Sequence, residues 1–189
     1  MVFDTKDKLM EHAKMHMHPA GVSGANSMNR KMKMAVIPAI IGGILGGIVM
    51  AIILIAGALG MGLSSTTFFL IMGMALGAGM GSGVVVGLAA HFTVSIVAGA
   101  IFGVIVSYVK PLRLTSASRS LGFGLIFGVV LYLVFFLPLA MTSFSSVMMS
   151  LMGAKASIMA GDVLIIGFVG HLLYGIVLGI TSFYIAKKL

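Results

Sequence analysis

Four apolar runs divide the chain, at 35–61, 83–109, 121–141 and 163–186, and none contains a lysine, arginine, aspartate or glutamate. A helix crossing a hydrocarbon core of about 30 Å needs about 20 apolar residues, so each run predicts one transmembrane helix. Inside lipid the backbone must satisfy its own hydrogen bonds, so the predicted fold class is all-α and integral to the membrane. Two shorter segments, TFFLIMGMALGAGM at 67–80 and VMMSLMGAKASIMA at 147–160, interrupt the pattern. The second carries Lys155 and two serines and is too short and polar to cross. Both are expected to be short helices at the membrane interface.

The pattern repeats. At an offset of 80, Met72-Gly73 matches Met152-Gly153, and Gly81, Gly87, His91, Ile96-Val97 and Gly99 match Gly161, Gly167, His171, Ile176-Val177 and Gly179. At an offset of 81, Gly43, Gly47 and Val49 match Gly124, Gly128 and Val130. The expected organisation is therefore a cytoplasmic leader and linker over 1–34, one transmembrane hairpin over 35–110, and a second over 116–189. Two spans per copy give both copies one orientation, related by a pseudo-two-fold axis along the membrane normal.

Composition agrees with the pattern: 60% of the 189 residues are hydrophobic and 8% charged, against about 25% charged in soluble domains. There is no cysteine, which excludes disulfides, thiolate metal sites and cysteine nucleophiles. Eleven of the twelve basic residues fall in the leader, in the link holding Lys110, Arg113 and Arg119, or at Lys187 and Lys188; only Lys155 falls on the other side. By the positive-inside rule both termini face the cytoplasm. The net charge of +8 is thus explained by topology and anionic lipid, and nucleic acid is not an expected partner. The first apolar run lies behind a mixed-charge leader, so no cleavable signal segment is expected.

Lipid gives helices no hydrophobic reason to associate, so small residues permitting close backbone approach take over. The first span carries Gly42, Gly43, Gly46 and Gly47, two overlapping GxxxG pairs, and the third carries Gly124 and Gly128. Every fourth residue of the second span reads Gly87, His91, Ser95, Gly99, Gly103; the fourth span reads Gly167, His171, Gly175, Gly179. Each stripe lies on one helix face, so both histidines are expected to look into the bundle or at a partner helix. A neutral ring there needs a partner for one donor and one acceptor. The candidates are a backbone carbonyl, a hydroxyl of Thr93 or Ser95, or Tyr174. The alternative is a functional pair serving as proton relay, metal or haem ligands, or a polar constriction. Asp162, at the start of the fourth apolar run, is expected to cap that helix, and Pro138 to kink or end the third.

The leader fits an amphipathic helix over 4–18, with Met10, Ala13 and Met17 on its apolar face, stopped by Pro19 and followed by a turn-rich linker over 19–29. His12 and His16 stand one turn apart, followed by His18, with Met15 and Met17 between them. Imidazole with thioether suits copper, which makes the leader a candidate metal site beside the histidine pair; otherwise no cofactor is expected. No carboxylate pair, nucleophile triad or phosphate loop is present, so independent catalysis is not expected.

The decapeptide GHLLYGIVLG at 170–179 resembles a signature of small prokaryotic membrane protein families. The leader KLMEHAKMHMHP, the Met- and Gly-rich spans and the lack of cysteine together resemble the small polytopic accessory subunits of archaeal ammonia monooxygenase. That resemblance implies a copper-dependent membrane complex in which the chain surrounds a catalytic subunit through its glycine-rich helix faces. Three functions stay open: an accessory subunit, a small channel or transporter for a neutral solute, gas or proton, and a redox or metal carrier.

Overall fold

The computed structural model describes residues 20–108 and 116–188, with side chains from residue 35 onward. The leader helix and its candidate copper ligands, His12, Met15, His16, Met17 and His18, lie outside the described residues, as do Lys110 and Arg113. All the regular structure described is helical: α1 (Ala20–Gly60), α2 (Thr67–Ala75), α3 (Met80–Tyr108), α4 (Ala117–Met152) and α5 (Lys155–Ala186). Four of these are long and apolar enough to cross a membrane: α1 from Ala35, α3, α4 and α5.

Two boundaries depart from the sequence expectation. The backbone is helical from Ala20, so 20–29 belongs to α1 and is not a turn-rich linker. Adding residues to an existing helix is far easier than nucleating one, and no proline interrupts this stretch. At the other site, α4 runs through Pro138 instead of stopping near 141. Proline removes one N–H from the ladder, and the helix absorbs the loss with π-helical turns on both sides, Tyr132–Phe136 and Ala140–Phe144. Residues 147–160 therefore form no separate interfacial helix. They are the last turns of α4, a tight turn at Gly153 (φ +57°) and the first turns of α5. The segment at 67–80 does form a short helix, α2, ended by Gly77 (φ +91°) with Ala78 N–H donating back to the Gly73 carbonyl.

The bundle is a row of four spans in the order α3, α1, α5, α4. Glycine seams hold it. On α1 the two overlapping GxxxG pairs serve two different neighbours, because adjacent helix positions point about 100° apart. Gly43 and Gly47 face α3: a methyl group on Gly43 would stand 3.1 Å from the Gly99 Cα, and one on Gly47 2.7 Å from the Ser95 Oγ. Gly42 and Gly46 face α5, where methyl groups would stand 2.9 Å from the Leu178 carbonyl and 2.9 Å from the Tyr174 ring. Gly103 completes the α3 seam against Val36 and Ala39. A third seam joins α4 to α5, with Gly124 and Gly128 against the backbone of His171, Gly175 and Gly179. At the end of the bundle away from the termini, Gly87 lies on the Phe69 carbonyl of α2, whereas Gly167 lies on the Phe136 ring of α4. All twelve glycines of the predicted packing stripes are thus engaged within the chain.

Candidate functional site

Because the spans stand in a row, α3 and α4 at its two ends have few contacts with each other. Near the termini they meet side chain to side chain, Phe102 on Phe127 with ring centroids 5.3 Å apart. That half is dense: Ala39, Leu178, Ser120 and Ser182 are wholly buried. Toward the other end a cavity of about 180 Å³ remains between α3 and α4. Met50 of α1 and Tyr174 of α5 line it, together with Met72 and Ala75 of α2 and Leu76 just beyond it. Its α3 wall includes Ala90, His91, Val94, Ser95 and Ala98; its α4 wall is Leu131, Phe135, Phe136, Leu139 and Phe144. His171 completes the lining. Exposed Val94 and Phe135 border it, so it opens sideways to the surroundings.

The fold therefore brings both intramembrane histidines to one cavity. His91 is 4% exposed and His171 9%. They stand near the middle of their helices, eleven and sixteen residues from the first residue of α3 and α5. At 1.5 Å per residue this is about 16 and 24 Å along the axis, deeper than the apolar runs alone suggest, because both helices begin before those runs.

Each ring uses one nitrogen on a backbone carbonyl, and a carbonyl only accepts. His91 therefore donates from Nε2 to the Gly47 carbonyl of α1, 2.9 Å away. His171 donates from Nδ1 to the Gly167 carbonyl one turn back on its own helix, 2.7 Å away. In the neutral form the two rings are opposite tautomers, although they occupy equivalent positions of the sequence repeat. The difference follows from what fills the neighbouring space. His91 stands edge-on to Phe69 and Phe92, at 5.7 and 5.3 Å, with the glycine-bare surface of α1 in reach. His171 is flanked by Tyr132 and Phe136 of the π-helical stretch, at 5.7 and 5.2 Å, and turns back along α5.

The hydroxyls considered as imidazole partners all donate to backbone carbonyls instead. Ser95 bonds to the His91 carbonyl at 2.8 Å, Thr93 to Ala89 at 2.8 Å, and Tyr174 reaches across to the Ser95 carbonyl at 2.8 Å. Tyr174 is a residue whose central place the sequence pattern did not single out. It is 2% exposed and joins α5 to α3 over the glycine surface of α1. Its position in GHLLYGIVLG, between two glycines at helical spacing from His171, was the available signal.

Asp162 does not cap a helix. The N-cap of α5 is Ala154, and Asp162 sits two turns further in, on an exposed face beside Gly57 and Gly60. Lys155 and two serines made the preceding turns look like a separate interfacial helix, but a span's polar first turns can lie at the membrane surface with side chains reaching water. Ser82 likewise lies inside α3, donating to the Gly79 carbonyl. Among the described residues no three His, Asp or Glu side chains cluster as metal ligands. No family model, curated protein or solved structure matches this chain, so its function is argued from its own residues and geometry.

Proposed function

We propose that this chain is a non-catalytic accessory subunit of a membrane complex, lying in the cytoplasmic membrane with both termini on the cytoplasmic side. The observation that carries it is the rigidity of the framework: three seams of backbone against backbone leave the spans little freedom to rock or slide. Such a unit is suited to holding neighbours in place. The internal glycines are spent on its own helices, so partner subunits meet its outward apolar faces, such as Ile126, Leu133 and Val134 of α4. The resemblance to accessory subunits of archaeal ammonia monooxygenase names the complex, with copper held by another subunit or loaded through the leader.

The tandem duplication belongs to the same proposal. Gly43 meets Gly99 as Gly124 meets Gly179, with methyl-to-Cα approaches of 3.1 and 3.0 Å at offsets of 81 and 80 residues. The halves then diverge, α2 covering Gly87 in one and the continuous α4 covering Gly167 with Phe136 in the other. Native purification in mild detergent tests the assignment: co-migrating membrane subunits are expected, and a lone monomer from native membranes would contradict it.

The paired histidines give the channel alternative its one supporting observation. Against it, the dense layer of Phe102, Phe127 and Leu178 lies between the cavity and the termini.

A further inference from the structure

We propose that the cavity between α3 and α4 is a binding site for a membrane-dissolved phenol-class molecule, a single ring bearing one or two hydroxyls, whose tail leaves between the two helices. The hydrogen-bond inventory of the wall carries the inference. Its side-chain donors are His91, Ser95, His171 and Tyr174, and each is spent on a backbone carbonyl. What remains is acceptors: His91 Nδ1 and His171 Nε2, one lone pair on each neutral ring, beside the hydroxyl lone pairs of Ser95 and Tyr174. Both rings are more than nine-tenths buried and line the cavity. Neither of these nitrogens is sealed off, since no fully buried side-chain nitrogen or oxygen among the described residues lacks a partner.

A ligand must therefore bring its own O–H donors. Ethers, esters and quinones offer only acceptors and find nothing to bond. The rest of the wall is apolar and largely aromatic on the α4 side, and a cavity near 150 Å³ suffices for one benzene-sized ring. The sideways opening, bordered by Val94 and Phe135, leaves room for an apolar tail among lipid chains. Burying a ring against apolar walls while pairing two buried acceptors is how small-molecule sites combine affinity with orientation.

The test uses the full chain in lipid nanodiscs with ¹⁵N-labelled histidine side chains, titrated with 4-ethylphenol and, separately, with its methyl ether, 4-ethylanisole. The His91 and His171 resonances are assigned from the single variants His91→Phe and His171→Phe. The phenol is expected to move at least one of the two unprotonated ring nitrogens upfield, saturably, with the ether about tenfold weaker or without effect, as for the loss of one or two hydrogen bonds. Filling the cavity with Ala90→Phe, which touches neither histidine bond, is expected to abolish the shift. Equal responses to phenol and ether, no response to either, or a response that survives Ala90→Phe would overturn the proposal. So would a stoichiometric response to silver(I) alone, which would make the pair a soft-metal site.

Discussion

Gly175→Leu is expected to release α4 from the bundle and to be among the most damaging single substitutions in the chain. Gly124 and Gly175 face each other reciprocally: a methyl group on either would collide with the carbonyl oxygen of the other. The obstacle on both sides is backbone, which cannot rotate away as a side chain would. Overpacking of an ordinary core costs about 1–3 kcal/mol. Here the helices must separate along the seam, and α5 is the only span with extensive contact to α4. A loss of about 3 kcal/mol or more is expected, read as a lowered midpoint in denaturing-detergent titration. Gly122→Leu is the control. It lies on α4, the other helix of the seam, with nothing within 4 Å of an added methyl, and is expected to leave the midpoint nearly unchanged. Equal effects of the two substitutions would mean that the seam does not hold the helices.

Tyr174→Ala is the second large effect. The ring fills the space over Gly46, and its hydroxyl ties α5 to the Ser95 carbonyl of α3. Truncating a buried aromatic costs about 3–5 kcal/mol, whereas Tyr174→Phe removes only the hydrogen bond, about 1 kcal/mol. The same titration is expected to rank wild type above Phe and Phe well above Ala. An alanine variant as stable as phenylalanine would show that the ring does not bridge the spans.

The spans were legible because crossing a membrane demands length and apolarity, and the runs beginning at 35, 83, 121 and 163 show both. Their ends were not. Pro138 reads as a kink or a stop; lipid favours keeping the backbone bonded, and π-turns on both sides carry the helix through it. Lys155 reads as part of a separate interfacial helix, yet the fourth span itself begins there and carries Asp162 inside it. The glycine stripe placed His91 and His171 on the packing faces, because four-residue spacing is a property of the sequence. A backbone carbonyl was among the expected partners of each ring, but which carbonyl was not legible. Gly47 and Gly167 accept through backbone carbonyls, which every residue has and no sequence marks. The cavity was equally hidden, because it comes from the α3–α1–α5–α4 order of the row, a tertiary choice. Adjacent glycines at 42 and 43 hint at it only in retrospect, by needing two different neighbours.

The two histidines test the central claim most directly, that glycine carbonyls hold both rings by their donors and leave one acceptor on each of two rings lining one cavity. Nitrogen-15 spectra of the ring nitrogens distinguish the two neutral tautomers of imidazole. The geometry predicts His91 protonated at Nε2 and His171 at Nδ1, opposite tautomers at equivalent positions of the two halves. Finding the same tautomer at both positions, or either ring doubly protonated at neutral pH, would contradict it.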